Sequence, residues 1–543
     1  MRSVLLVQLP IPRLNYGRQT GNIPLGAACL KQAAAGVSDV QVDILPESVA
    51  SYLGDGALVR LICDRQPDIL GFTVYSWNVE RSLYVARQVK RQYQPKIILG
   101  GPEITPDNRL VHAAPVDFNV YGEGEAVFLR LLQDPEFWRL EQAAEDAGPA
   151  FALSPSPYLR GFLEPEIENM MLLETQRGCP YHCAYCYYNK ARQHLSVADE
   201  DNVLRAIRWA VEQRIRELFL LDPSLNVRPG LKNLLQKISV INPDRRLALV
   251  SEIRAEGIDL EMADLFAAAG FTGFEIGLQS TNPRALKIMN RPTNLSRWLK
   301  GAKLLQARQI SPQVDLIAGL PGDDLPGFGQ SVDFVADHDL QEDVQVFPLT
   351  VLPGTTFRVQ SRALGLVYEK SPPYAIIATP TFSREDMLLA FDYAEVRFDV
   401  VLYPLPDLDI AWRSNSQGGG NAADHRVALG KANFVSKLYL NSKRSAAALE
   451  ALAARLTHPY QIFVDPALRD QGFLKDTLKI LTSANPFTPL EMVFLEPDDL
   501  PDSSALLASV RLRRPHFLDG DQRFVFPEPG NRAVLFTLVS QDR

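Results

Sequence analysis

The sequence predicts an α/β protein built of three units: a doubly wound open parallel sheet, then a partial or full (β/α) barrel, then an α+β unit. Three observations carry that expectation. Short apolar runs alternate with amphipathic segments over residues 1–145 and again over 171–390, the texture of strand–helix repeats. A stretch at 146–170, rich in Pro, Gly and Ser and without a period, separates the two series and reads as a linker. Over 391–543 the pattern breaks into isolated strand-like runs. At 543 residues the chain has room for three or four domains of about 150 residues each.

In the first unit, Ser3 to Leu9 reads as a strand and Pro24 to Ala34 as a helix opened by proline. Val40 to Leu45, Ile69 to Val74, Lys96 to Leu99 and Phe118 to Tyr121 read as further strands, with a helix over Glu80 to Tyr93. Three of these strands run into Tyr75-Ser76-Trp77-Asn78, Gly100-Gly101-Pro102-Glu103 and Gly122-Glu123-Gly124-Glu125. Loops at the carboxyl ends of strands form the ligand crevice of an open α/β sheet. Glycines there suit either close approach to a ligand or tight turns alone.

In the second unit the expected strands are Met171 to Thr175, Glu217 to Leu221, Arg246 to Ser251, Gly273 to Gly277, Val314 to Ala318 and Asp343 to Leu349. Helices such as Leu260 to Ala269 and Pro283 to Met289 lie between them. Functional residues of such repeats gather at strand ends. The third unit offers strand-like runs at 396–403, 460–464, 491–495, 523–527 and 533–538. It adds a helix over Ser445 to Leu456, a glycine-rich loop at Gln417 to Asn421, and the expectation of a cap over the barrel.

With 64 acidic and 56 basic residues the formal charge is -8, which argues against a general nucleic-acid binder. The apolar run before Gln8 is too short for a secretion signal, and no stretch approaches the roughly 20 apolar residues of a membrane span, so a cytoplasmic location is expected. Five cysteines are too few for a disulfide framework, and three of them stand together as Cys179-x3-Cys183-x2-Cys186. Three thiolates at that spacing suit iron–sulfur, zinc or copper(I). Zinc would recruit a fourth ligand from His182, Cys29 or Cys63, whereas a four-iron cluster on three cysteines keeps one iron open. Cys29 and Cys63 read as small buried hydrophobes.

The cysteine spacing, with Gly178 before it and the aromatic Tyr185 before the third cysteine, resembles the motif of radical S-adenosylmethionine (SAM) enzymes. The resemblance implies a [4Fe–4S] cluster on Cys179, Cys183 and Cys186, SAM on its open iron, a 5′-deoxyadenosyl radical, and a cellular reductant such as flavodoxin or ferredoxin. It runs over about 171–365 and further implies SAM-binding roles for Tyr185, Asp222, Glu252, Arg254, Gln279 and Ile317. Asp222 is expected to accept from the SAM ammonium or to serve as a cap. Glu252 and Arg254 are expected to orient SAM or to form a structural salt bridge; Glu275 shares the segment of Gln279.

The first unit resembles the Rossmann-like cobalamin-binding domain that precedes this barrel in one subgroup, called class B where it methylates. Tyr75, Ser76, Trp77, Gly100, Gly101, Pro102, Gly122, Glu123, Gly124 and Glu125 are then expected around cobalamin, and Gly21 to Gly26 fits the same pattern. The loop Pro10 to Gly17 lacks the Asp-x-His-x-x-Gly motif that supplies a histidine to cobalt, so cobalamin is expected without protein ligation, or the domain has lost it. The implied chemistry is methylation of an unactivated carbon through methylcobalamin; the alternative is a cyclase or oxidoreductase of the same superfamily without methyl transfer. A small molecule, lipid or peptide is the expected substrate, with Tyr187, Tyr188 and Asn189 facing it or cobalamin.

Overall fold

The computed structural model describes residues 1–11, 21–112, 115–144, 148–165, 169–188, 195–402, 436–456, 460–468, 470–495 and 534–539. The loop expected to lack the histidine motif falls mostly in 12–20, and Asn189 in 189–194, both outside the described residues.

The first sheet comprises β1 (Arg2–Gln8), β2 (Val40–Ile44), β3 (Ile69–Thr73), β4 (Lys96–Gly100), β5 (Phe118–Tyr121) and β6 (Gln142–Ala144). All pairs are parallel, in the order β2-β1-β3-β4-β5-β6. Alternation on β1 covers both faces. Leu5 and Val7 pack with Leu58 and Leu83 of the helices Asp55–Arg65 and Val79–Lys90. Val4 and Leu6 pack with Ala27 and Phe128 of the helices Leu25–Ala33 and Glu125–Gln133. The strand order reverses between β1 and β3, so the crevice opens beyond their carboxyl ends.

The central unit adds β7 (Met170–Leu173), a short antiparallel pair β8 (Gln176–Arg177) and β9 (Ser196–Val197), β10 (Glu217–Leu220), β11 (Ala248–Glu252), β12 (Phe271–Gln279), β13 (Ser311–Ala318) and β14 (Val344–Pro348). β7-β10-β11-β12-β13-β14 is a six-stranded parallel sheet with β7 and β14 at its edges among the described residues, a partial barrel. The helix Glu200–Glu212 shows why its outer layer forms: Asp199 accepts from the Asn202 N–H at its start, and Val203, Ile207 and Ala210 recur on one buried face.

Two boundaries differ from the sequence reading. Within 146–170 the chain forms a helix at Gly148–Leu153 and a 3-10 turn at Pro157–Arg160. Tyr158, 1% exposed, joins the barrel core, and its hydroxyl accepts from the Leu172 N–H at 3.2 Å. The stretch expected as a linker is thus partly core, because two apolar anchors, Tyr158 and Leu163, outweigh a turn-rich composition. At the other end, the helix Arg384–Phe398 runs past residue 391. Ala390, Ala394 and Phe398 return at helical spacing to the barrel core, so the run at 396–403 begins as helix, not strand.

A hairpin, β15 (Val367–Tyr368) with β16 (Ile376–Ala378), follows the barrel. The last unit mixes helices with four strands, β17 (Ser436–Leu440), β18 (Tyr460–Val464), β19 (Leu490–Leu495) and β20 (Val534–Val539), paired in that order and parallel. Gln417 to Asn421 and the run 523–527 lie outside the described residues. The described part rests on the first domain rather than over the barrel. Gly54 N–H donates to Leu456 O at 2.9 Å, Asp55 N–H to Thr488 Oγ1 at 3.1 Å, and Gly56 N–H to Asn485 Oδ1 at 3.1 Å. Buried Asp55 also accepts from Arg81 Nε and from the Phe487 N–H, each at 2.7 Å. Among the described residues no helix is long and apolar enough to cross a membrane.

One barrel contact predicts a large stability effect. The helix Leu295–Gln306 crosses the turn at Ala255 so closely that a Cβ on Gly301 would lie 1.9 Å from Ala255 O. Gly301→Ala is expected to lower unfolding free energy by about 1–3 kcal/mol, read from denaturant melts.

Candidate functional site

The cysteine loop leaves the barrel after β7 and is braced from β10. Asp222 Oδ1 accepts from the Thr175 N–H at 2.7 Å and the Gln176 N–H at 3.0 Å, and Oδ2 accepts from the Thr175 hydroxyl. Burial pushes this carboxyl up to about 6 although those hydrogen bonds favour its charge. Both oxygens are used within the protein and the residue is fully buried, and the N–H groups they accept from belong to the turn into β8, not to the helix start considered for a cap. Asp222→Ala orphans two N–H groups and a hydroxyl; a loss of about 3 kcal/mol in denaturant melts is expected, with the cysteine loop loosened.

Gly178, at φ +89°, turns the chain into Cys179. Ala184 N–H donates to Met289 O, Phe357 N–H to Ala184 O, and Asn290 Nδ2 to His182 O, each at 2.9 Å, pinning the loop to two other segments. Cys183 is buried; Cys179 and Cys186 are half-buried. Burial pushes the Cys186 thiol up to about 12 and raises Cys179 as well, so these sulfurs need a cationic partner to ionise. Arg291 supplies one: its Nη1 lies 3.8 Å from Cys183 Sγ while Nη2 bonds to Gly277 O. Among the described residues no three His, Cys, Asp or Glu side chains stand together to share one metal ion. His182 is exposed, Cys29 lies on the helix Leu25–Ala33, and Cys63 packs against the first domain's core.

Inside the barrel, alternation brings three carboxyls to the lumen. Glu252 is paired in register with Glu275, and Asp315 with Gly277 one row above. Burial and then the Glu275 charge push both Glu252 and Asp315 up to about 8, and burial raises Glu275. Arg254 turns its guanidinium over the Tyr181 ring, 4.2 Å from the centroid, instead of forming the salt bridge considered with Glu252. Gln279, at φ +68°, folds back over Gly277, where a Cβ would meet Gln279 Nε2 at 2.2 Å and Arg291 Nη2 at 3.2 Å. Gln279 Oε1, Arg254 Nε and Arg291 Nε are buried without partners. Ile317 stands beside Asp315 in the β13 wall, and Tyr185 packs against the barrel core between two cysteines. Arg291 and Asp315 were missed in the sequence. The period of β13 puts Asp315 on the same side as Ile317 and was the available signal; nothing local marked Arg291.

Between the two α/β domains runs a cleft of about 290 Å³. Tyr75, Gly100, Gly101, Pro102, Gly122, Glu123, Gly124 and Glu125 line one wall; Gly178, Tyr187 and Tyr188 stand on the other. Ser76 and Trp77 are not in the lining, and Trp77 instead stacks on Tyr75 with centroids 4.3 Å apart. Leu6, Leu30, Ile98, Val120 and Phe128 give it an apolar floor. A Cβ at Gly26 would enter open space, whereas one at Gly101, φ +110°, would meet Val74 O at 2.6 Å. Glu123 and Glu125 do not simply face the cleft; they pair with Arg177 at 3.4 and 2.8 Å.

Residues 20–132 match the B12 binding domain and residues 173–335 match the radical SAM superfamily. A B12-binding domain precedes a radical SAM domain. The chain is 24% identical over 425 residues to 2-(S-pantetheinyl)-carbapenam-3-carboxylate methyltransferase of Streptantibioticus cattleyicolor, covering 68% of this chain and 61% of that one. It is 25% identical to the cobalamin-dependent radical SAM methyltransferase TokK of Streptomyces tokunonensis, covering 61% and 54%. The alignments thus span under two thirds of either relative. The fold is shared with the radical SAM methyltransferase TsrM of Kitasatospora setae, solved with cobalamin and a [4Fe–4S] cluster bound (TM-score 0.58, 17% identity, 73% of this chain and 91% of that one). In the present chain, the cleft follows the seam between the B12-binding and radical SAM domains, and the cysteine loop borders it.

Proposed function

We propose that this chain is a cobalamin-dependent radical SAM methyltransferase acting on an unactivated carbon. The observation that carries this reading is the shared cleft: Arg177 and Gly178, just before the cysteines, and Tyr187 and Tyr188, just after them, close a slot walled on the other side by the glycine turns of the first domain. The residues suit the groups required. Three thiols on one loop, with Arg291 offsetting charge at Cys183, fit a cluster that takes each thiolate on a separate iron. Glu252, Glu275 and Asp315 give the lumen an excess of acid that matches the sulfonium and ammonium of SAM, and Gln279 Oε1 and Arg254 Nε have hydrogen bonds to offer.

When bound, cluster and SAM supply a 5′-deoxyadenosyl radical and cobalamin supplies the methyl group. Asp222 holds the start of the cysteine loop, Gly277 leaves room for Arg291, and Tyr187 and Tyr188 screen the seam from water. A flavodoxin or ferredoxin serves as reductant, and a small molecule, lipid or peptide as acceptor, in a cytoplasmic setting.

Anaerobic reconstitution with iron, sulfide and hydroxocobalamin, followed by desalting and reaction with SAM under reduction, tests the reading. One corrin and four irons retained per chain, with 5′-deoxyadenosine formed, are expected. Iron and 5′-deoxyadenosine without retained corrin would replace it with a radical SAM cyclase or oxidoreductase.

A further inference from the structure

We infer that Arg177 is a positioning residue that ties the cobalamin cleft to the cysteine loop, so that corrin and cluster strengthen each other's binding. The inference rests on the function proposed above and adds a coupling between its two cofactors.

Arg177 stands two residues before Cys179 on β8, and Gly178 is the only residue between them. Its guanidinium is held from several sides. Nη2 reaches Glu125 and Glu174, each at 2.8 Å; Nη1 reaches Glu123 at 3.4 Å; the Phe151 ring lies 4.3 Å from its central carbon. Glu123 lies in the turn after β5 and Glu125 opens the helix Glu125–Gln133, both in the first domain, while Glu174 follows β7 of the barrel.

Three carboxylates around one guanidinium leave net negative charge at the cleft wall, and Glu125 keeps oxygen lone pairs beyond its contact with Arg177. A corrin is edged with carboxamides, whose N–H groups are suitable donors to those oxygens. Glu125, which lines the cleft, can therefore answer to the corrin on one side and to Arg177 on the other. On the far side of the clamp lies a second cavity of about 270 Å³, which shares Glu125, Glu174 and Arg177 as its wall. That space lets the side chain shift when the clamp is not satisfied. A shift would be felt at Cys179, since the intervening Gly178 sits in a fixed left-handed turn. Coupling of this kind is reciprocal: the factor by which the cluster tightens corrin binding equals the factor by which corrin tightens the cluster.

The test titrates the full chain with hydroxocobalamin, with and without a reconstituted cluster, and follows corrin absorbance. Wild type is expected to bind at least about fivefold more tightly with the cluster present. In Arg177→Gln the ratio is expected to fall to about one while either cofactor alone still binds, and Arg177→Lys, a point charge without the planar fork, restores only part of it. Glu125→Gln approaches the same clamp from the first domain and is expected to lower the ratio likewise; it decides the matter if Arg177→Gln does not fold. A wild-type ratio of one, or a ratio unchanged in the variants, overturns the inference. A wild-type chain that retains no corrin under either condition instead removes the cobalamin reading beneath it.

Discussion

Cys183→Ser is expected to cut 5′-deoxyadenosine formation by the reconstituted chain at least about 100-fold, beyond the roughly 10- to 100-fold loss typical of removing a supporting contact to a metal ligand. A serine hydroxyl stays protonated where a thiol can ionise, and Cys183 is the most deeply buried of the three, with Arg291 Nη1 3.8 Å from its sulfur. The control is one residue away. His182 is exposed and contributes its carbonyl, which accepts from Asn290 Nδ2 at 2.9 Å and survives in His182→Ala. That variant is expected to keep iron and activity. Iron and sulfide analysis with quantification of 5′-deoxyadenosine reads both; a Cys183→Ser chain that kept its cluster, beside a His182→Ala chain that lost it, would reverse the ligand assignment.

The second large effect is a gain of stability by removing charge. Without SAM, Glu252→Gln and Asp315→Asn are each expected to raise thermal stability at pH 8, with the advantage shrinking steadily toward pH 5. The sign follows from the proton balance. Glu252 and Asp315 are pushed up to about 8 in the fold from ordinary values of 4.5 and 3.8. Between those limits the unfolded chain releases its protons while the folded chain keeps them, so wild-type stability falls as pH rises and levels off above about 8. Each tenfold displacement of a proton equilibrium is worth about 1.4 kcal/mol, and after allowance for relaxation a gain on the order of 2 kcal/mol is expected at pH 8. SAM brings cations to the same carboxyls, so adding it should flatten the wild-type pH dependence. Parallel pH profiles for wild type and both variants would show that these groups do not carry an unpaired burden.

Local pattern made much of the framework legible. The helix Leu260–Ala269 and the strand Tyr460–Val464 match their expected limits because their apolar periods are short-range signals. The cysteine loop and the glycine turns at Gly100 and Gly122 were equally plain, since spacing and residue type are written in sequence. What escaped was long-range. Asp222 acts on a backbone 47 residues earlier, and Arg291 on a sulfur 108 residues away. No local signal announces that Glu123 and Glu125, besides lining the cleft, pair with Arg177 across a domain boundary. The helix through residue 391 escaped for a related reason: Val396, Phe398 and Val400 look like strand, but Phe398 shares the buried helix face of Ala390 and Ala394 while Val396 is 82% exposed.

The contacts at Asp55 bear on the order in which the molecule is made. The helix Asp55–Arg65 is synthesised 433 residues before Thr488, which receives its first N–H. At about 5–20 residues per second, translation leaves that helix start waiting on the order of a minute. Throughout that interval the N–H groups of Gly54, Asp55 and Gly56 and one oxygen of the Asp55 carboxylate have only water as company. A nascent or prematurely terminated chain thus carries a first domain with a frayed helix beside Arg81, open to proteases and to other nascent chains. Arrival of Leu456, Asn485 and Phe487 closes it, so the first domain and the last unit mature as one event.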